Sequence, residues 1–164
     1  MFELKPIVKE AIPRALEKAE RYRLLNEPGE ADSICRDVLQ IDPDNQKAII
    51  MLLLSLTDRF EKSVTVEQAQ ELLPQIRDEY ERVYYGGIIY ERWAKARLDH
   101  GFPGSAFVAY DWLREAMSWY EKAEANRPPG NDDAILRWNT CARIIMQNPN
   151  LKPSPEDSSI SMLE

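Results

Sequence analysis

The sequence predicts an all-α protein. Its apolar residues recur at intervals of three and four, as on one face of a helix, rather than at alternate positions as in a strand. β-branched residues rarely form runs, and the hairpin-turn dipeptides Asn-Gly and Asp-Gly do not occur. Proline and glycine breaks divide the chain, so we expect about seven helices, near residues 12–25, 29–41, 44–60, 65–76, 78–99, 104–127 and 131–147.

The first two predicted helices carry small side chains that allow close approach where two helices would meet, with a tyrosine that fills the space beside the first of them. These are Ala19, Tyr22, Ala31, Cys35 and Val38. Pro28 is well placed to begin the second helix, since proline is favoured at a first helical position. Pro43 then ends that helix and sets the turn to the next.

The middle of the chain predicts a long apolar helix followed by a short one. The run from Ala48 to Leu56 contains one polar residue, Ser55. Pro74 lies inside the following helical pattern, so that helix should be short. Asp78 and Glu81 have the spacing of a capping box and predict the start of the next helix.

The last helices repeat an interval found in the first pair. Twelve residues separate Ala116 from Pro128, as they separate Ala31 from Pro43. On the predicted helix at 78–99, Gly87 is followed three residues later by Tyr90. Roughly seventeen more residues lie between Tyr90 and Ala116 than a standard helix-hairpin repeat would hold, so this hairpin should be over-long.

Taken together, these landmarks resemble the tetratricopeptide repeat family, in a divergent form of about three repeats. The resemblance implies an array of antiparallel helix hairpins that winds into a right-handed superhelix. It covers residues 12–147, which leaves an N-terminal extension at 1–11 and an acidic tail at 148–164 that we expect to be disordered.

In that family the first helix of each hairpin lines a concave binding groove. Carried onto this chain, the resemblance implies a partner-binding groove that includes Arg23, Lys47, Ile50, Leu54, Tyr84, Ile88 and Glu91. The positions that clamp a terminal carboxylate in some members hold Leu16, Glu20, Met51, Glu81 and Tyr85 here. No cation is present among them, so an extended or helical segment with apolar side chains is the expected ligand.

The resemblance therefore implies a protein–protein interaction module, a scaffold or adaptor that binds a protein or peptide segment. One alternative is a secretion-type chaperone that holds an unfolded client segment. Another is an enzyme or small-molecule sensor with a pocket under the 98–105 loop, where His100, Phe102 and Trp93 would converge.

Composition narrows the class of partner. The formal net charge is −7 and the pI is about 4.9, which disfavours nucleic acid because such binding depends on Lys and Arg. No apolar run is long enough to span a membrane and no leader pattern opens the chain, so we expect a cytoplasmic protein without a membrane partner. The tail residues Ile160, Met162 and Leu163 could dock on the body or on a second subunit, giving a homodimer.

The sequence offers little for catalysis, and we expect no catalytic residue, cofactor or metal. His100 is the sole histidine and is explained as part of a helix exit, with a general base or ligand as the alternative. Cys35 and Cys141 should be reduced, packed thiols. We expect a mostly structural role for one aromatic set, with a ligand cage as the alternative: Tyr110, Trp112, Trp119, Tyr120 and Trp138.

Overall fold

The computed structural model describes residues 1–155, apart from the side chain of His100. In this range every regular element is helical, which confirms the all-α prediction. The seven α-helices are α1 (Ile12–Leu24), α2 (Pro28–Ile41), α3 (Gln46–Thr57), α4 (Val66–Gln70), α5 (Glu79–His100), α6 (Ser105–Ala125) and α7 (Asp133–Gln147). The chain divides into two compact units, Met1–Arg77 and Asp78–Glu164, which are described separately.

Local signals explain where the helices of the first unit begin and end. Asn45 caps α3, its side-chain oxygen accepting a bond from the Ala48 N–H at 2.9 Å. The stretch predicted as one helix over 65–76 is instead α4, capped by Thr65, and a separate 3₁₀ turn at Leu73–Gln75 that contains Pro74. The structure thus confirms the prediction of a short helix here. The helix ends earlier than the predicted range of 65–76, because its α-helical hydrogen bonds stop before Pro74.

Two ion pairs fix the helix directions in the first unit. Arg23, near the end of α1, pairs with Asp58, which follows the end of α3. Arg59, the next residue, pairs with Asp32 near the start of α2. Helix α3 therefore runs parallel to α1 and antiparallel to α2.

Small side chains hold the first unit together, as the sequence predicts. Ala19, Ala31, Cys35 and Val38 are completely buried. A 3₁₀ turn at Lys9–Ala11 precedes α1. Ile7 packs against the cluster of Ile12, Val38 and Ala48, so part of the N-terminal extension covers the first hairpin.

The second unit is a long helix hairpin with a third helix beside it. In the α5–α6 seam, Gly86 faces the ring of Trp119 and Gly87 faces the ring of Tyr120. Residues farther along α5 meet residues earlier on α6, since Tyr90 stacks on Trp112, and the two helices are therefore antiparallel. These contacts confirm that the glycine pair serves close helix packing.

Helix α7 packs mainly against α6, is joined to α5 by side-chain hydrogen bonds, and runs parallel to α5. The Tyr80 hydroxyl, at the start of α5, donates to Asn131 Oδ1 at 3.3 Å, just before α7. Farther along both helices, Arg137 binds Glu91. The first and third helices of this unit thus have the same relative direction as α1 and α3 in the first unit.

The ends of α5 match their sequence signals. The Asp78 side chain accepts a bond from the Glu81 N–H at 2.9 Å and begins the helix. Gly101 follows His100 with φ at 60°, a left-handed conformation that ends the helix and favours glycine.

After α7, the described chain continues to Pro155. Leu151 is only 4% exposed, and its N–H donates to the Asn148 carbonyl at 2.9 Å. The apolar tail residues Ile160, Met162 and Leu163 lie outside the described residues.

Candidate partner-binding site

Helix α3 leaves one face accessible. Lys47 is exposed, and Ile50, Met51 and Leu54 are partly buried, whereas the intervening Ala48, Ile49, Leu52 and Leu53 are buried. The accessible residues are separated by three, four and seven positions, so they share one side of the helix. We call the set Lys47, Ile50, Met51 and Leu54 the α3 stripe.

The α3 stripe has a charged group at each end. Lys47 lies at its N-terminal end. At the other end, the Arg23 Nε atom donates to Asp58 Oδ2 at 2.5 Å and Arg23 Nη2 donates to Oδ1 at 3.2 Å. Because this bidentate pair neutralises both charges, Arg23 serves to hold α1 against α3 rather than to present a free cation.

The remaining predicted groove residues lie on α5 in the second unit, and they are packed to different depths. Tyr84 is partly buried among the rings of Tyr80, Tyr85 and Tyr120, with centroid distances of 6.0, 5.1 and 5.9 Å. Burial, followed by the nearby Asp133 charge, raises the pKa of Tyr84 to about 12. Ile88 is buried.

Glu91 is fully buried, which differs from the groove-facing position expected from the repeat pattern. Its carboxylate accepts bonds from the Tyr120 hydroxyl at 3.0 Å, from Lys95 Nζ at 2.7 Å and from Arg137 Nε at 3.1 Å. Cys141 Sγ lies 3.6 Å from Oε1. Since these groups use the carboxylate to join α5, α6 and α7, Glu91 is a structural residue that a partner cannot reach.

The environment of Glu91 keeps the neighbouring thiol and phenol protonated. Burial raises the pKa of the Cys141 thiol to about 11, against the opposing influence of Lys95 and Arg137. Burial likewise raises the pKa of the Tyr120 hydroxyl and lowers the pKa of Lys95. The thiol and the phenol are thus held in their protonated forms, which are weak nucleophiles.

The predicted aromatic set is divided between core and surface. Tyr120 is fully buried, which confirms its core position. Trp138 is partly buried, and its indole N–H donates to Glu121 Oε1 at 3.0 Å beside a cavity of about 300 Å³. Trp112 is partly buried at a second cavity, which it lines with Tyr90, Asp111 and Glu115.

Among the residues that the structure describes, those proposed for a pocket under the 98–105 loop do not form a common site. The side chain of His100 lies outside the described part of the structure. Phe102 is 42% exposed, and the ring of Trp93 carries the Arg97 guanidinium 4.1 Å from its centroid.

Cys35 and Cys141 are both buried free thiols, as predicted. Among residues 1–155, no group of three or more His, Cys, Asp or Glu side chains is arranged to hold a metal ion. No helix in the described part of the chain has the length and apolarity needed to cross a membrane.

The family resemblance names Lys47, Ile50 and Leu54 of the α3 stripe as groove residues, whereas two features that depend on distant partners have no signal in the sequence. The Asp32–Arg59 pair and the Glu91–Arg137 pair join residues 27 and 46 positions apart, and no local pattern marks them. The chain matched no protein-family model, no curated protein and no solved structure.

Proposed function

We propose that this protein is a non-catalytic, cytoplasmic interaction module of the tetratricopeptide type that binds a segment of a partner protein through the α3 stripe. The observation that carries the proposal is the accessible apolar surface of Ile50, Met51 and Leu54 on a helix whose opposite face is buried. Apolar side chains at helical spacing are a common means of holding a peptide segment.

The helix directions support the tetratricopeptide-like part of the proposal. In stacked helix hairpins, the first helix of one hairpin lies parallel to the first helix of the next. The Arg23–Asp58 pair joins the C-terminal ends of α1 and α3, as that arrangement requires. In the second unit, α5 and α7 have the same relation.

The chemistry of the α3 stripe selects the kind of segment it would hold. Ile50 and Leu54 are one helical turn apart on the same side of α3, so one bound segment can contact both apolar side chains. Lys47 is the cation at its end, because Arg23 is already neutralised by Asp58. A segment with two apolar side chains and an acidic residue beside them would complement this surface.

The test begins with peptides selected for binding to the folded protein from a random displayed library. Their affinity is then measured by fluorescence anisotropy for the wild type and for Ile50→Ser and Leu54→Ser. Each substitution should weaken binding by about 1 kcal/mol or more, roughly fivefold or greater, as loss of an apolar anchor usually does.

A matched control is Gln40→Ala, which changes an exposed residue on α2. It should leave the affinity unchanged, and circular dichroism should show that all variants are folded. The proposal is wrong if no peptide is selected, or if the peptides bind the Ile50→Ser and Leu54→Ser variants as tightly as the wild type.

A further inference from the structure

Helix α1 buries one side in the first unit, where Ile12 and Ala19 lie, and exposes the opposite side. The exposed side carries two rows of charged residues at helical spacing, roughly a quarter turn apart around the helix axis. The basic row is Arg14, Lys18 and Arg21, and the acidic row is Glu17 and Glu20. Leu25 extends the basic row by one turn, and Leu24 extends the acidic row.

The charged side chains of both rows are exposed and have no partner among residues 1–155. None of them forms an ion pair or a side-chain hydrogen bond within that range. Arg23, on the packed side of the same helix, is by contrast bound to Asp58. The two rows thus present opposite charges that the described part of the chain does not neutralise.

Large apolar residues are exposed at both ends of the two rows. Leu24 and Leu25 are 81% and 63% exposed, and Val8, before the turn that precedes α1, is 65% exposed. Of the ten large apolar residues that are exposed in the described part of the chain, six lie between Met1 and Leu25. Exposed apolar residues that are concentrated in one segment indicate an interaction surface.

We propose that a second copy of this chain docks on the exposed side of α1, and that the two α1 helices pair in parallel about a two-fold axis. Such an axis runs along the helices and turns the basic row of each copy toward the acidic row of the other. Consecutive residues differ by about 1.5 Å in rise, so neighbours from the two rows lie opposite each other across the axis. The facing pairs are Lys18 with Glu17, Arg21 with Glu20, and Leu25 with Leu24, and each pair forms twice.

An antiparallel pair would bring like charges together. A two-fold axis that lies in the interface but perpendicular to the helices would place each row against the same row of the second copy. Arg21 would then face the basic row, and like charges repel. The charge pattern therefore selects the parallel pair. No residue of the α3 stripe takes part, so this inference is independent of the proposed function.

The first experiment measures the molecular mass of the wild type by sedimentation equilibrium. Exposed ion pairs contribute little each, so the dimer should be weak, and its fraction should rise between about 10 and 500 μM. A 19.0 kDa monomer at every concentration would overturn the proposal.

Two double variants test the rows, since each gives the four facing charged positions one sign. Lys18→Glu with Arg21→Glu reverses the basic row, and Glu17→Lys with Glu20→Lys reverses the acidic row. Either variant alone should weaken self-association about tenfold or more, because like charges then face each other. An equimolar mixture of the two variants should associate again, because every facing pair is then opposite in charge. This recovery would also show that both variants are folded.

The matched control is Arg143→Glu with Lys152→Glu. It changes the net charge as much as the basic-row variant does, but at exposed positions of the second unit. Its self-association should equal that of the wild type. A control that weakens association as much as the basic-row variant, or a mixture that stays monomeric, would refute the pairing of α1 helices.

The last experiment tests the orientation of the pair. A variant with all four substitutions exchanges the two rows and keeps the net charge of −7. In the parallel pair it should associate with itself as the wild type does, but not with the wild type, because like charges would then face each other. Sedimentation of fluorescently labelled wild type, mixed with the unlabelled variant, measures this association. Binding of the exchanged variant to the wild type, or loss of its self-association while circular dichroism shows it folded, would contradict the parallel arrangement.

Discussion

At the scale of single residues, Gly87 has a packing role that can be tested directly. A Cβ atom at this position would lie 2.5 Å from the ring of Tyr120. That ring cannot move easily, because Tyr120 is fully buried and its hydroxyl is bound to Glu91. The absence of a side chain at Gly87 thus sets how closely α5 and α6 approach.

We expect Gly87→Ala to lower the free energy of unfolding by about 1–3 kcal/mol through overpacking. The better helix propensity of alanine, worth up to about 1 kcal/mol, offsets only part of this. Urea unfolding followed by circular dichroism measures the change. Gly29→Ala is the control, since a Cβ there meets nothing within 4 Å, and it should be neutral or slightly stabilising. Equal effects at the two glycines would show that the seam can relax.

The two thiols provide a prediction about pH. Burial raises the pKa of Cys35 to about 12 and that of Cys141 to about 11. At pH 8 both should be protonated in the native protein, whereas an unfolded thiol with a pKa of about 8.5 is about a quarter ionised. Because the protonated form is favoured by folding, this contribution to stability is complete below about pH 8 and falls as the pH rises toward 11 and 12.

The expected result is that a disulfide reagent at pH 8 reacts with neither cysteine in the native protein and rapidly with both in urea. Reaction is followed by absorbance of the released thiol. Cys35→Ser and Cys141→Ser assign any remaining reactivity. Rapid labelling of the folded protein would contradict the buried positions of both thiols.

At the scale of elements, the Arg23–Asp58 pair predicts a measurable coupling between α1 and α3. The side chains are only 20% and 17% exposed, and two hydrogen bonds join them. A double-mutant cycle with Arg23→Gln and Asp58→Asn should give a coupling energy of about 1 kcal/mol or more. The exposed Arg77–Asp44 pair, 69% and 77% exposed, should give less than about 0.5 kcal/mol in the same cycle.

Urea unfolding of the four variants in each cycle provides the energies. Asp→Asn keeps the side-chain shape and Arg→Gln shortens the side chain, and the cycle cancels the effects that each single substitution has by itself. If the two pairs couple equally, Arg23–Asp58 is an ordinary surface pair and does not hold α1 against α3.

The boundaries of the helices could be predicted where a local signal exists. Asp78 and Gly101 mark the two ends of α5 because a side-chain cap and a left-handed residue act within one turn. The depth of burial along a helix could not be predicted in the same way. Helical periodicity gives the side on which Glu91 lies, but its burial depends on Arg137 and Tyr120 from other helices.

At the scale of the whole molecule, the element composition predicts its spectrum. Seven helices account for most of residues 1–155. We therefore expect a far-ultraviolet circular dichroism spectrum of a protein well over half helical. A substantial sheet contribution in the full chain would contradict the all-α fold.

The candidate sites were predictable to different extents. The α3 stripe follows from one helix, since Ala48 to Leu56 carries more apolar residues than one face can bury. The cavity beside Trp112 depends on the contact between Tyr90 of α5 and Trp112 of α6, which the antiparallel seam sets. Sequence spacing placed those aromatic residues on helices but could not decide which of them stay accessible.

The double role of Tyr120 constrains how this protein can change during evolution. A larger residue at 87 would require a smaller one at 120, but that exchange would also remove the hydroxyl that Glu91 accepts from. The charge of Glu91 is in turn matched by Arg137. Positions 87, 91, 120 and 137 should therefore vary as a group, while exposed positions drift independently. Covariation among these four positions should therefore identify distant relatives whose overall sequence identity is low.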